Sequence, residues 1–301
     1  MTRIMTLAKR VNSWCGGAGL GRSQFVRRIK GTLRWPLYIA DLSASGRGAD
    51  PVLLLVDGLP KIVIYPADGH SLDALFSRYY QDRRAVQLFR QALGPGDVVL
   101  DIGANIGYWS LIAAKAVGPE GVVYAFEPAP DNFTALETNV RLNGYRNIVP
   151  VQRAVGSARG PATLLLMDHG GASHGLYPHP RIAVKGTAQV ESATIDEFLD
   201  GRTAHVIKID IEGGEPRALE GMKKTICGSD RCVLISELHP TMLAQAGFTA
   251  KAYLRQLRDL GFDVSMIDEE SGRLSGVSLE HVRRRSEESA WWYTNLYCVR
   301  R

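Results

Sequence analysis

No stretch of this 301-residue chain approaches the ~18 consecutive apolar residues that cross a bilayer as a helix, so a membrane-spanning architecture is not expected. Cysteine is sparse. The four present, Cys15, Cys227, Cys232 and Cys298, form no C-x-x-C pair, which excludes the common zinc patterns and a disulfide framework. A reducing cytoplasm is the expected compartment. Near the N-terminus the apolar residues are interrupted by Lys9 and Arg10, so a secretory signal is not expected either. Acid is missing altogether from residues 1–40, which hold Arg3, Lys9, Arg10, Arg22, Arg27, Arg28, Lys30 and Arg34. The remaining 28 Lys and Arg face 31 Asp and Glu, so the rest of the chain is slightly acidic and a nucleic-acid partner is not expected.

The basic segment, taken as an N-terminal extension over 1–45, also carries Ile4, Leu7, Val11, Trp14, Phe25 and Ile29. Two readings fit it: a solvated extension whose apolar residues dock on the main domain, or a peripheral contact with an anionic membrane or a lipid-linked sugar. Nothing in the sequence specifies an oligomeric state.

From residue 46 onward the composition is that of an ordinary globular domain, 45% hydrophobic and 22% charged over the whole chain. "PVLLLVDGLPKIVIY" (51–65) reads as a hairpin turning at Asp57-Gly58, and 71–93 as a polar helix stopped by Gly94-Pro95-Gly96. A regular alternation follows. Strands are predicted at 97–103, 121–128, 147–156, 205–212, 231–239, 262–268 and 291–300, and helices at 108–117, 130–144 and 249–260. Alternating strands and helices predict an α/β domain: a doubly wound sheet covered on both faces, with its ligand outside the carboxyl ends of the strands. The region 157–193, with its Gly, His and Pro cluster, interrupts the alternation and reads as an insertion carrying a loop or lid.

"LDIGANIGYWS" ends the first of these strands and opens a helix with the spacing D-x-G-x-x-x-G. It lacks the third glycine of G-x-G-x-x-G, and Asp101 would repel a pyrophosphate while welcoming an ammonium group. Gly103 and Gly107 permit a tight turn and close approach of a ligand. Glu127-Pro128 closes the second strand, where an acid can accept both hydroxyls of a ribose.

Together "VVLDIGANIGYWSLIAA", "VYAFEPAPDNFTALETNVRLNG", "HVIKIDIEGGEPRALEGM" and "ISELHP" resemble FkbM-type S-adenosylmethionine-dependent methyltransferases, over roughly residues 95–265. The resemblance implies the seven-stranded, Rossmann-like methyltransferase sheet with its last strand antiparallel, and O-methylation of a small molecule or glycan. It implies S-adenosyl-L-methionine as cofactor, with Asp101, Gly103, Ala104, Asn105 and Gly107 along the methionine part, Glu127 and Pro128 at the ribose, Ala154 by the adenine, and Asp210 as a further contact. One departure is Gln81, which follows Tyr79-Tyr80 where an acid often stands.

Methyl transfer to an alcohol needs positioning and help with a proton. In "HVIKIDIEGGEP" the residues Lys208, Asp210 and Glu212 share one parity of a strand, and the next strand ends in Glu237-Leu238-His239-Pro240. Three readings stand side by side. Asp210 or His239 is the general base, with Lys208 pairing a carboxylate and Glu212 as a second acid. Alternatively Asp210, Glu237 and His239 bind Mg²⁺ or another divalent metal. In the third, the acids cap a helix and hold the cofactor's ammonium, with Glu215 structural in either case. His169, His174 and His179 read as loop residues facing solvent or substrate. Rival functions are an NAD-dependent oxidoreductase on a related sheet, a nucleic-acid N-methyltransferase, for which Ile-Asp-Ile-Glu replaces the expected Asn-Pro-Pro-Tyr, and a non-catalytic cofactor-binding protein.

Overall fold

Short segments of three to seven residues, most of them apolar and too short for helices, line up as the strands of one central sheet. The computed structural model describes residues 38–40, 52–55, 60–64, 82–168 and 173–300. The basic extension (apart from 38–40), the Asp57-Gly58 turn, the 71–81 part of the expected helix with Tyr79, Tyr80 and Gln81, and His169 lie outside the described residues.

β1 (Tyr38–Ala40), β2 (Val52–Leu55) and β3 (Ile62–Ile64) form a small antiparallel sheet. The helix Arg83–Ala92 follows, its first turn capped from far along the chain: the Glu269 carboxylate accepts from Arg84 N at 2.6 Å and Ala85 N at 3.0 Å. The main sheet contains β4 (Val98–Ile102), β5 (Val122–Phe126) and β6 (Ile148–Val151). β7 (Ala154–Val155), β8 (Gly160–Met167) and β9 (Val184–Ala193) make a second, three-stranded sheet. The main sheet is completed by β10 (Val206–Ile209), β11 (Cys232–Leu238), β12 (Asp263–Ile267), β13 (Leu274–Gly276) and β14 (Thr294–Arg300).

Its order is β13-β12-β14-β11-β10-β4-β5-β6. β6, β5, β4, β10 and β11 run parallel, and β14 is antiparallel to both neighbours, β11 and β12. This is the expected doubly wound sheet with an antiparallel last strand. β13 adds an eighth strand at the edge, three exposed residues (Leu-Ser-Gly) with no alternation to announce it. The 157–193 segment is largely an antiparallel ribbon, β8 against β9, rather than an irregular loop, with a connection that crosses the carboxyl rim of the main sheet.

Each face of the sheet buries its own core. Val99, Val123, Val206, Val233 and Ile235 face the helices Arg83–Ala92, Tyr108–Val117 and Pro130–Asn143. Leu100, Ile102, Phe126, Ile207, Ile209 and Leu234 face the helices that include Ile195–Leu199, Glu215–Glu220 and Ala250–Asp259. After β4 the chain lays β5 and β6 to one side, then returns to place β10 on the other. A topological switch point therefore lies between β4 and β10, where the loops after both strands part and leave a crevice.

Candidate functional site

The crevice opens at that switch point. Gly103, Asn105, Glu127, Pro128, Ala154, Asp210 and Glu212 all line it, so seven of the residues singled out from sequence meet around one space. Asp101, Ala104, Gly107, Lys208, Glu237 and His239 do not line it.

Glu127 follows β5 and is 5% exposed. Its carboxylate accepts from Asn105 N at 2.8 Å on Oε2, and from Ala129 N at 2.9 Å and Asn132 Nδ2 at 3.4 Å on Oε1. Burial pushes its pKa up to about 7 in spite of these bonds, so a ligand that donates further hydrogen bonds gains by fixing the ionised form. Asn105 reaches Glu127 from a left-handed backbone, φ 53°, which asparagine tolerates better than most side chains. The turn is tied beneath by Asn139, whose Nδ2 donates to Ile106 O at 2.8 Å.

Asp101 sits deeper than expected. It is fully buried, accepts from Ser110 Oγ at 2.5 Å through Oδ2, and has Lys208 Nζ 3.7 Å from Oδ1. Asp101 is thus one step behind the crevice wall, while Asp210, next to it, faces the space. Lys208 ties the two together: its buried ammonium donates to Gly103 O at 2.9 Å and lies 3.6 Å from Asp210 Oδ2.

The glycines turn out to serve the protein's own packing. Gly103 has φ 78°, and a Cβ there would lie 2.0 Å from the Asp210 carbonyl oxygen. Gly107, φ 95°, would drive a Cβ to 2.7 Å from Leu136 Cδ1. Gly103 lets the loop after β10 close against the loop after β4, which puts Asp210 where it is. The shared parity expected of Lys208, Asp210 and Glu212 breaks after Asp210. β10 ends at Ile209, and Glu212 turns left-handed at φ 55°, so it enters the crevice from a turn and not from a strand face. Glu215 holds that turn: its Oε1 accepts from Ile211 N at 3.0 Å and Gly213 N at 3.3 Å, and burial raises its pKa to about 7.

The expected metal triad does not assemble. Among the described residues no three His, Cys, Asp or Glu side chains, Asp210, Glu237 and His239 included, come together in a way that could hold a metal ion. Asp210 is drawn to Lys208, while His239 is buried as the first residue before the helix Pro240–Gln245, its ring stacked near Tyr293 with centroids 6.4 Å apart. Burial, with His179 nearby, lowers the His239 pKa to about 4 against the opposing pull of Asp210, so its imidazole is uncharged at neutral pH.

Several lining residues gave no distinct signal in the sequence. Phe126, Val155 and Leu164 form an apolar wall beside Ala154. The connection between β8 and β9 adds His174, Leu176 and Tyr177; the Tyr177 hydroxyl accepts from Arg217 Nε at 3.0 Å across the crevice lining. The ribbon is what the reading of 157–193 as an insertion left out, although the alternating exposure of β9 reflects a period of two that "VKGTAQVESA" carries.

The sheet order and the crevice at its switch point define the methyltransferase form of the Rossmann-like fold. The chain belongs to the FkbM methyltransferase domain family, whose sequence model matches residues 101–264. It is similar to the hexuronic acid methyltransferase AglP of Haloferax volcanii, 26% identical over 149 residues that cover 48% of this chain and 58% of that protein. It also resembles the 31-O-demethyl-FK506 methyltransferase FkbM of Streptomyces tacrolimicus, 55% identical over 47 residues, 16% of this chain and 18% of that one. The match thus spans less than two thirds of either relative. Among solved structures, a methyltransferase FkbM from Methylobacillus flagellatus aligns over 71% of this chain and 50% of its own, at 16% identity and TM-score 0.41.

Proposed function

We propose that this protein is an S-adenosylmethionine-dependent methyltransferase acting on a hydroxyl of a small molecule or glycan. The observation that carries the reading is the pinned Glu127 carboxylate beside an apolar wall, with Asp210 across the crevice. The donor set suits the cofactor part by part. Glu127 would accept the ribose hydroxyls, Phe126, Val155, Ala154 and Leu164 would flank the adenine, and Asp210 would face the ammonium. That cofactor, when bound, supplies a methyl group on a sulfonium, and its transfer to an alcohol leaves a proton to be removed.

The rival dinucleotide reading fails on the same loop. A pyrophosphate needs open backbone N–H groups at the start of the helix. Here Asn105 N donates to Glu127, Ile106 N to Asn105 Oδ1 at 2.8 Å, and Gly107 N to Ala104 O at 2.9 Å, so these three loop amides are not open to a phosphate.

His239 is our choice for the proton acceptor. It is held uncharged, it feels the Asp210 charge from behind the crevice lining, and its buried Nδ1 accepts no hydrogen bond. A weakly basic imidazole suffices, because an alcohol becomes far more acidic as its oxygen forms the new bond. Lys208 is a positioning residue that sets Asp210 through charge. The family membership supports methylation, and the relative's action on hexuronic acid supports a sugar acceptor. The test is incubation of the purified protein with isotopically labelled S-adenosylmethionine and a panel of hydroxylated sugars. Labelled methyl on a sugar oxygen in mass spectra supports the reading; label on nitrogen only, or none on any sugar, overturns the choice of acceptor.

A further inference from the structure

Next to the crevice, on the side of His239, the structure gathers aromatic and cationic groups that the account above leaves unused. β14 is antiparallel, so its start lies at the carboxyl rim: Thr294 pairs with Leu238, and the Tyr293 ring stacks near His239 there. The connection that lines the crevice at Tyr177 continues to His179 and Arg181. His179 lies against Trp291, ring centroids 4.7 Å apart at 31°, and the Arg181 guanidinium carbon is 5.9 Å from the Trp291 ring. His179 in turn lies close enough to His239 to depress its basicity, and His239 responds to the Asp210 charge. The patch therefore adjoins the crevice through the connection that carries Tyr177.

Two features separate it from ordinary surface. Trp291 keeps 45% of its surface in solvent although its neighbour Trp292 packs on the core. Arg181 is exposed and, among the described residues, pairs with no carboxylate. A large ring beside a guanidinium matches the apolar C–H face of a pyranose that also carries a carboxylate or phosphate, since the planar fork of arginine binds either anion through paired N–H groups. A neutral sugar would leave the cation unanswered. We infer that His179, Arg181, Trp291 and Tyr293 form the acceptor subsite, and that its ligand is an anionic sugar seated on Trp291 with its charged group at Arg181. The inference rests on the methyltransferase reading only for the role of the sugar as acceptor; the site itself is a binding claim.

Binding to three probes tests it: methyl glucuronide, a glucose phosphate and methyl glucoside, titrated into the whole protein with tryptophan fluorescence and calorimetry as readouts. The expected order places one or both anionic sugars well above the neutral one, and which of the two wins names the anion. Arg181→Ala and, should that variant be unstable, Arg181→Gln weaken the anionic probe by about tenfold or more and leave the neutral probe unchanged. Trp291→Ala weakens all probes. Equal binding of charged and neutral sugars, no binding of any of them, or wild-type affinity in the Arg181 variants overturns the subsite. S-adenosylmethionine is titrated into the same samples: if it binds while the sugars do not, the subsite falls and the cofactor reading stands, and if it does not bind, the cofactor reading falls by itself.

Discussion

Lys208 and Asp210 face each other across 3.6 Å at the floor of the crevice, and the same ammonium stands 3.7 Å from the buried Asp101. One cation thus settles two acids, one on β4 and one just past the end of β10. Removing a partner from such a cluster strands the other charge in a medium that solvates it poorly. Lys208→Met is expected to destabilise the protein by about 3–5 kcal/mol in urea unfolding. Adding Asp101→Asn should recover part of the loss, because the uncompensated charge is then gone. A Lys208→Met protein within about 1 kcal/mol of the parent would contradict the ion-pair account.

Gly103 and Gly118 separate close packing from backbone conformation. Both have positive φ, 78° and 68°, but a Cβ at Gly118 meets nothing within 4 Å while one at Gly103 strikes the Asp210 carbonyl. Gly118→Ala should cost about 1–2 kcal/mol, the ordinary penalty for a left-handed residue. Gly103→Ala should cost about 3 kcal/mol or more and also weaken cofactor binding, since the loop bearing Asp210 must move. Equal losses in the two variants would show that conformation alone matters at residue 103.

Glu127 and Glu215 impose a pH dependence whose sign is fixed by burial. Both carboxyl groups are raised from 4.5 to about 7. Between those values the folded chain keeps protons that the unfolded chain has released, so these groups lower stability as pH rises through that window and add no further slope above it. Replacing Glu215 by Gln removes its share. The stability of the parent relative to Glu215→Gln should therefore fall by on the order of 3 kcal/mol between pH 4.5 and 8. Unfolding curves of the two proteins at matched pH values supply the difference, and a constant difference would contradict the raised pKa.

His239 is expected to act in turnover and not in cofactor binding. His239→Gln should lower kcat by about a hundredfold or more while leaving the dissociation constant for S-adenosylmethionine unchanged. Because the imidazole is already neutral above about 4, it contributes no activity step between pH 6 and 8. A rise in cofactor affinity in that range is expected instead from Glu127, whose ionised form we propose accepts the ribose hydroxyls. A parallel loss of binding and turnover in His239→Gln would assign it a structural role.

Much of this was legible in the sequence, and the failures share a cause. Strand alternation and glycine punctuation placed the seven main strands, the acids at strand ends pointed to Glu127 and Asp210, and the family resemblance pointed to Asn105, all of which line the crevice. What periodicity could not convey was depth and turn geometry. It put Asp101 on the crevice wall when Ser110 and Lys208 enclose it one step behind. Alternation carried Glu212 onto a strand face that the chain leaves at Ile209. The neighbouring rings of the rim, His179 and Trp291, come from segments more than a hundred residues apart, and their proximity depends on the antiparallel insertion of β14 between β11 and β12. β13 is too short to carry a period, and His239 looked like a metal ligand because sequence records neither burial nor direction.

The most direct test of the account is calorimetric titration of S-adenosylmethionine into the whole protein and into Glu127→Ala. The account predicts one site per chain in the parent, with affinity rising as pH passes through about 7, and a loss of at least tenfold, on the order of 1.4 kcal/mol, in the variant. No heat of binding in the parent, or an unchanged dissociation constant in Glu127→Ala, would contradict it.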